Sequence, residues 1–214
     1  MEFQQTRAVV EEAETQSGAD QRGAQRYTSM IRAAKLVCAQ GEFVCVIRDV
    51  SRTGISVKTF HALPENHAMS LELQNGDTFE LVLVRHDDNQ ASFRFKTPIT
   101  LERLLKEDWN FPKRQLRLGI LIPVQLMTLA GRSEAIISNL SQQGARLESE
   151  TLFAIDQKVT IQTPALPDIR ATIRWRRDAN YGCVFETNFA LKEFAHLAAT
   201  LQCPMLMEEQ RRQA

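Results

Sequence analysis

The chain has 214 residues, of which 43% are hydrophobic, and its 26 basic side chains balance 26 acidic ones. This length allows one large domain or two small ones, and the hydrophobic content is enough to form a buried core in either case. Because the formal charges cancel, no global field attracts the chain to nucleic acid or to an anionic membrane, and any anion site must be local.

The first twenty residues are polar and rich in glutamate and glutamine, which predicts a flexible N-terminal tail over residues 1–20. They contain no apolar run of the length that a signal peptide needs, and no later segment approaches a membrane span. The four cysteines stand singly, without zinc-binding spacing, and we expect reduced side chains that fill apolar positions. We therefore expect a cytoplasmic protein with no membrane span.

Short, alternating, β-rich segments follow the tail in two groups, each closed by a helical pattern. The first group covers residues 42–50, 55–59, 69–73, 78–84 and 91–95, with a helix over 99–106. The second covers residues 135–140, 145–149, 158–162, 169–175 and 181–186, with a helix over 191–201. Six or so short strands at this spacing predict a small antiparallel barrel or sandwich in each group.

The two groups are copies of each other. The stretch SNLSQQGARL, which begins at Ser138, repeats the polar and apolar types of RDVSRTGISV, which begins at Arg48, at an offset of 90 positions. The same offset places Trp175 on Arg85 and the strand over 181–186 on the strand over 91–95. The chain is therefore interpreted as a tandem duplication, with units at residues 21–109 and 110–210.

Two pairs of basic residues, which we call the arms, precede the repeated turns. Arg22 and Arg26 stand four apart in the first copy, and Lys113 and Arg117 match them in the second at an offset of 91. Between Asp20 and Phe60 there are seven basic and three acidic residues, so a basic surface is expected within the neutral whole.

An RxxxR arm, a strand, a (D/N)xSxxG turn and a later GxxF strand together resemble the PilZ family of cyclic-di-GMP receptors. The resemblance covers most of the chain, twice, and implies a mainly all-β fold of two small six-stranded antiparallel barrels in tandem, each followed by a helix. It implies binding of cyclic-di-GMP, with no cofactor, and control of motility, polysaccharide or biofilm formation through a protein partner of the flagellar or polysaccharide machinery.

The resemblance also implies which residues touch the ligand. The first site comprises Arg22, Arg26, Asp49, Ser51 and Gly54, and the second comprises Lys113, Arg114, Arg117, Asn139, Ser141 and Gly144. Arginine suits this ligand because its planar fork pairs with phosphate or with guanine O6 and N7, and its face stacks on a base. Lysine lacks the fork, so the second site is expected to be the weaker one.

Other interpretations of the same residues stay open. The acid, serine and glycine of each turn can serve only turn geometry, and the arms can be ordinary solvated charges. Trp175 is expected to fill the core, and the histidines to lie on the surface. No arrangement of catalytic residues is present, so an enzyme is not expected. The competing functions are an adaptor that binds only proteins and, disfavoured by 7% aromatic content, a barrel that binds polymeric nucleic acid.

Overall fold

The computed structural model describes residues 27–64, 68–87, 89–105, 115–164 and 166–207. The strands within these ranges are β1 (Tyr27–Cys38), β2 (Gly41–Val50), β3 (Gly54–Lys58), β4 (Ala68–Glu72), β5 (Thr78–Asp87), β6 (Gln90–Phe95), β7 (Arg117–Leu118), β8 (Ile122–Thr128), β9 (Gly131–Ser141), β10 (Gly144–Glu148), β11 (Lys158–Thr163), β12 (Leu166–Arg177) and β13 (Asn180–Phe185). The helices are α1 (Leu101–Leu105) and α2 (Leu191–Gln202). Neither is long and apolar enough to cross a membrane.

The first six strands close into an antiparallel barrel in the order β1-β2-β3-β6-β5-β4. Alternation sends every second side chain inward, as the buried Ile55 and Val57 of β3 show. Phe93 and Phe95 of β6 and Leu104 of α1 fill the same core.

The second barrel has the same topology. Its ring runs β8-β9-β10-β13-β12-β11, and the short β7 pairs with the far end of β9. Phe194 of α2 enters its core as Leu104 of α1 enters the first. The predicted mainly all-β fold of two tandem six-stranded barrels, each followed by a helix, is confirmed.

The strand registers repeat at the offset of 90 that the sequence indicates. Lys35 faces Val44 in the first barrel, and Gln125 faces Glu134 in the second. The next strand pairs, β2 with β3 and β9 with β10, also match at this offset, because Asp49 faces Ser56 and Asn139 faces Arg146. In both pairs a register shift lies just before the first of these residues. The duplication therefore extends to the positions of the β-bulges.

The strand that begins each barrel, β1 in the first and β7 with β8 in the second, was missed by the sequence prediction. In β1 the reason is that charged side chains are buried together with their partners. Arg32 donates from Nη1 to the carbonyl oxygen of Leu104 at 3.0 Å. Lys35 forms ion pairs with Glu42 at 2.9 Å and Glu72 at 3.1 Å. These two cations are structural, so the expected basic surface is smaller than the sequence count suggests.

The barrels meet along β2, which is buried on both faces. Cys45 and Ile47 point into the first barrel, whereas Val44 and Val46 point outward and pack with Phe194 and its neighbours on α2. We call this contact between β2 and α2 the seam. Residues from the two copies share one hydrophobic cluster there, so the seam joins the barrels by apolar burial.

Gln202, at the end of α2, continues the backbone pairing of β2. Pairing between β3 and β2 ends at Val46 and Lys58, which leaves Glu42 beyond the end of β3. The Gln202 side chain accepts from the Glu42 N–H at 2.7 Å and donates to the Glu42 carbonyl oxygen at 2.7 Å. At Gly41, where φ is +139°, an added Cβ would collide with the Gln202 side chain, so glycine permits this approach.

His61 lies in the seam, contrary to the expectation that the histidines are on the surface. It is fully buried, and its ring centroid is 5.4 Å from that of Phe43. The Ala62 carbonyl, 2.6 Å from Nδ1, can only accept, so Nδ1–H is the donor. His196 of α2 donates from Nε2 to the Phe60 carbonyl at 2.7 Å. Burial lowers the pKa of His61, and nearby His196 and His86 lower it further, against the opposing effect of the Ala62 bond.

We predict that Gln202→Ala lowers the free energy of unfolding by about 1–3 kcal/mol, because the Glu42 backbone groups lose partners in a partly buried place. Chemical denaturation measures the change. Thr200→Ala is the matched control, since Thr200 is exposed and its hydroxyl bonds only within α2, to the His196 carbonyl. Equal losses in the two variants would contradict the role given to Gln202.

We predict that acidification destabilises the protein through His61. The unfolded histidine gains a proton as the pH falls through 6.5, while the folded one, with its lowered pKa, stays neutral. The unfolded state then binds more protons, so stability falls with pH, by at most about 1.4 kcal/mol per pH unit for one group. In His61→Phe this slope should be shallower, as measured by denaturation between neutral and mildly acidic pH. An unchanged slope would exclude His61 as its source.

Candidate ligand-binding site

The repeated turn is closed by its own serine. In the first copy, Ser51 Oγ accepts from the Gly54 N–H at 3.0 Å and lies 3.2 Å from the Gly54 carbonyl oxygen, to which it donates. The backbone N–H of Ser51 donates to the same carbonyl at 2.8 Å. In the second copy, Ser141 Oγ donates to the Gly144 carbonyl at 3.0 Å. The serines therefore fix the turns between β2 and β3 and between β9 and β10.

The glycine of each turn permits close approach of two strands. A Cβ on Gly54 would stand 3.0 Å from the Phe93 carbonyl oxygen, and one on Gly144 would collide with the Cys183 carbonyl. Neither glycine has a φ in the left-handed region, so space, not backbone conformation, requires glycine. The tight packing aligns each turn with the last strand of its barrel.

Asp49 and Asn139 occupy equivalent places beside their turns. Both are half-buried, and within the described ranges no hydrogen bond of either side chain is seen. Their oxygens are therefore available acceptors at the edge of the barrel surface, and an acceptor is what the donor edge of a guanine would pair with.

The second copy assembles its predicted residues around one groove of about 610 Å³. Arg117 pairs with Ser141 through β7 and β9, which places the end of the second arm beside the turn. The groove is lined by Arg117, Asn139, Ser141, Gly144, Arg146, Arg174, Trp175, Gly182 and Val184, among others. Lys113 and Arg114 lie outside the described residues, as do Arg22 and Arg26 of the first arm.

Trp175 lines this groove, and the expectation that it fills the core is wrong. Its side chain is 46% exposed, and its indole lies over Gly182, where an added Cβ would collide with it. The cause is a register shift between Ile173 and Trp175, which reverses the alternation of the strand and turns the indole outward. The repeat held the signal for this, since Trp175 stands on Arg85, a residue that rarely occupies a core.

Arg117, Arg146 and Arg174 line the same groove as the tryptophan. Arg146 donates to Asn180 Oδ1 at 2.8 Å, and Arg174 pairs with Asp156 at 2.7 Å. In the first copy the equivalents of Trp175 and Val184 are Arg85 and Arg94 by strand register. The two surfaces thus offer different chemistry, because the second copy has an aromatic plane with three arginines, and the first has two other arginines in place of Trp175 and Val184.

A scan against family models matches the PilZ domain twice, over residues 20–107 and 112–202. No curated protein matches the chain significantly.

Solved structures similar to this chain include proteins from three bacteria, each matched over most of its length. The PlzA protein of Borreliella burgdorferi, solved in complex with c-di-GMP, is 12% identical with a TM-score of 0.33, and the match covers 85% of this chain and 94% of that one. The MrkH–c-di-GMP complex of K. pneumonia is 13% identical with a TM-score of 0.32, covering 88% and 99%. The inhibitor of motility MotI/DgrA of Bacillus subtilis is 11% identical with a TM-score of 0.33, covering 86% and 98%.

We predict that Gly182→Ala displaces the Trp175 indole, because the new methyl group occupies its place. In a Trp109→Phe background, which leaves Trp175 as the sole tryptophan, the emission maximum should shift to longer wavelength and quenching by iodide should increase. Gly131→Ala, at a hairpin with open space around the new methyl group, is the control for strain at a glycine. Emission identical to the parent would show that the indole does not lie on Gly182.

Proposed function

Because the chain belongs to the PilZ domain family, with one copy in each barrel, we propose that it is a receptor for cyclic-di-GMP that acts by changing its contacts with a protein partner. The observation that carries the proposal is the groove of the second copy, which is lined by an exposed tryptophan, by several arginines and by Asn139, whose side chain makes no hydrogen bond within the described ranges.

Each part of that groove suits a part of a cyclic dinucleotide. The Trp175 plane can stack on a guanine, a contact worth about 1–3 kcal/mol per base. Arg117 can form paired hydrogen bonds with a phosphate, and Arg146 adds positive charge beside it. Asn139 Oδ1 can accept from the guanine N1–H and N2–H₂ groups.

We propose a second, tighter site on the first barrel. It comprises Arg22, Arg26, Asp49, Ser51 and Gly54, and its arm keeps both arginines where the other copy has Lys113, with Arg114 beside it. Since Ser51 and Ser141 are already bonded within their turns, their contribution is to hold the turn that presents Asp49 or Asn139. One feature opposes this ranking, because the Trp175 indole gives the second copy a plane on which a guanine can stack.

The path from ligand to output runs through the segment that follows the second arm. Arg117 is two residues before Gly119, whose N–H donates to Glu42 Oε2 of the first barrel at 2.9 Å. A ligand that binds Arg117 in the groove therefore acts on a contact between barrels, and through Glu42 on Lys35 and the seam. The structural change presents or withdraws a surface for the partner, with motility, polysaccharide or biofilm formation as the controlled process.

An adaptor that binds no dinucleotide is the second candidate, favoured by the serines, whose hydroxyls are satisfied without a ligand. For either function we place the protein in the cytoplasm, since its four cysteines are free and a reducing compartment keeps thiols so. No catalytic role is proposed.

The test is isothermal titration with cyclic-di-GMP at one salt concentration for the parent chain, Arg26→Ala, Arg117→Ala and Trp175→Ala. Each substitution should weaken its own site roughly 5- to 150-fold, the equivalent of about 1–3 kcal/mol. Arg176→Ala is the matched control, because Arg176 is exposed on the same strand and bonds only to the Asp178 carbonyl.

The outcomes separate the two candidates. Loss of the tighter binding step in Arg26→Ala and of the weaker step in Arg117→Ala supports the ranking of the sites, and the reverse pattern overturns it. Absence of binding to the parent chain rejects the receptor and leaves the adaptor. Small-angle scattering with and without ligand then tests the coupling, since superimposed profiles would exclude a change in how the barrels are arranged.

A further inference from the structure

A second groove, of about 930 Å³, crosses the outer face of the second barrel. Two rows of outward side chains form its floor. One row runs from Pro123 through Ile136 to Glu148 on β8, β9 and β10, and the other from Gln162 through Gln125 to Glu134 on β11, β8 and β9. Glu148 is the only residue that lines both this groove and the one beside Trp175. We call the face formed by the two rows the outer face.

The equivalent face of the first barrel shows what this part of the fold can hold. Subtracting the offset of 90 gives the rows Ala33, Val46, Lys58 and Glu72, Lys35, Val44, whose registers match. There, Val44 and Val46 are 1% and 6% exposed, because α2 and the segment with Leu116 and Ile120 cover them. The first barrel therefore uses this face to receive a helix.

On the second barrel no helix among the described residues covers the same face. Ile136, the equivalent of Val46, is 43% exposed at the centre of the groove. The described residues that line the groove include four carboxylates, from Glu134, Glu148, Glu150 and Asp168, and no lysine or arginine. Within the described ranges none of the four pairs with a cation, so the groove presents uncompensated negative charge around an apolar centre.

We propose that the outer face of the second barrel docks an amphipathic helix of a partner protein, with an apolar stripe against Ile136 and Pro123 and with lysine or arginine side chains against the carboxylates. The equivalent face of the first barrel packs against a helix, which indicates that the partner segment is helical. The carboxylates of the groove indicate that this helix carries basic side chains. The α2 helix of a second copy fits this chemistry less well, because its charged side chains, Lys192 and Glu193, cancel.

If the protein is the proposed receptor, the outer face is where its partner protein binds. Docking itself does not require the dinucleotide. An adaptor without ligand would use the same face. Failure of the receptor and failure of the docking surface are therefore separate results, measured with different probes.

The experiment uses a synthetic amphipathic helical peptide of about 18 residues, five turns, built from leucine and lysine. Amide signals of the full chain labelled with ¹⁵N are followed as peptide is added. The signals that move should come from β8, β9 and β10. The double variant Glu134→Lys/Glu150→Lys should bind at least about tenfold more weakly, because charge attraction is replaced by repulsion. A peptide with glutamate in place of lysine should not bind.

The control is Glu80→Lys/Glu186→Lys, which makes the same change in net charge at exposed carboxylates that do not line the groove and whose ion pairs, with Lys96, Lys158 and Arg170, lie outside it. It should bind the peptide as the parent does. Equally weakened peptide binding in both double variants would show that net charge alone causes the loss, and would overturn the proposal. Amide signals that move only around Trp175 would also overturn it. Self-association of the parent that disappears in Glu134→Lys/Glu150→Lys would make a second copy the occupant and overturn the proposed partner.

Titration of the same double variant with cyclic-di-GMP separates the two proposals. Neither Glu134 nor Glu150 lines the groove beside Trp175, so the dinucleotide should bind as it does to the parent. A parent chain that binds the peptide on the outer face but not the dinucleotide would reject the receptor and keep the docking surface.

Discussion

The burial of β2 on both faces is the constraint on which the rest of the structure depends. A barrel strand ordinarily has one side in the core and one in solvent, but Val44 and Val46 are removed from water by α2 of the other copy. Full burial of such side chains contributes about 1.5–3 kcal/mol each. Because Gln202 and Glu42 add directional hydrogen bonds at one end of the contact, the barrels meet in a defined orientation, and Gly119, two residues after Arg117, is hydrogen-bonded to Glu42 of the first barrel.

The two copies are equivalent scaffolds whose surfaces carry different side chains. The register shifts before Asp49 and Asn139 and those before Arg85 and Trp175 are kept, so the backbone places equivalent residues on equivalent surfaces there. Where one copy has Val44 and a covering helix, the other has Glu134 and an open groove. Where one has Arg85, the other has Trp175. The scaffold sets the location of each surface, and the side chains set what it recognises.

Much of the architecture could be predicted from the sequence because the chain contains two copies of one unit, and a pattern found in one copy can be checked in the other. The turns around Ser51 and Ser141, most strands and α2 follow from local patterns. β1 could not be found this way, since the partners that allow Lys35 to be buried include Glu72, far along the chain. The prediction that Trp175 fills the core fails because a count of alternation does not detect a bulge. His61 lies near His196 of α2, a neighbour from the other copy that no local pattern indicates.

The most direct test of the central claim is the signal of the Trp175 indole N–H in a ¹⁵N-labelled chain, identified by its loss in Trp175→Phe. Trp109 is the only other tryptophan and provides an internal reference. If a guanine stacks in the groove of the second copy, saturating cyclic-di-GMP moves the Trp175 indole signal, and does so less in Asn139→Ala at the same ligand concentration. An indole signal that stays in place while the dinucleotide is shown to bind elsewhere would contradict the account.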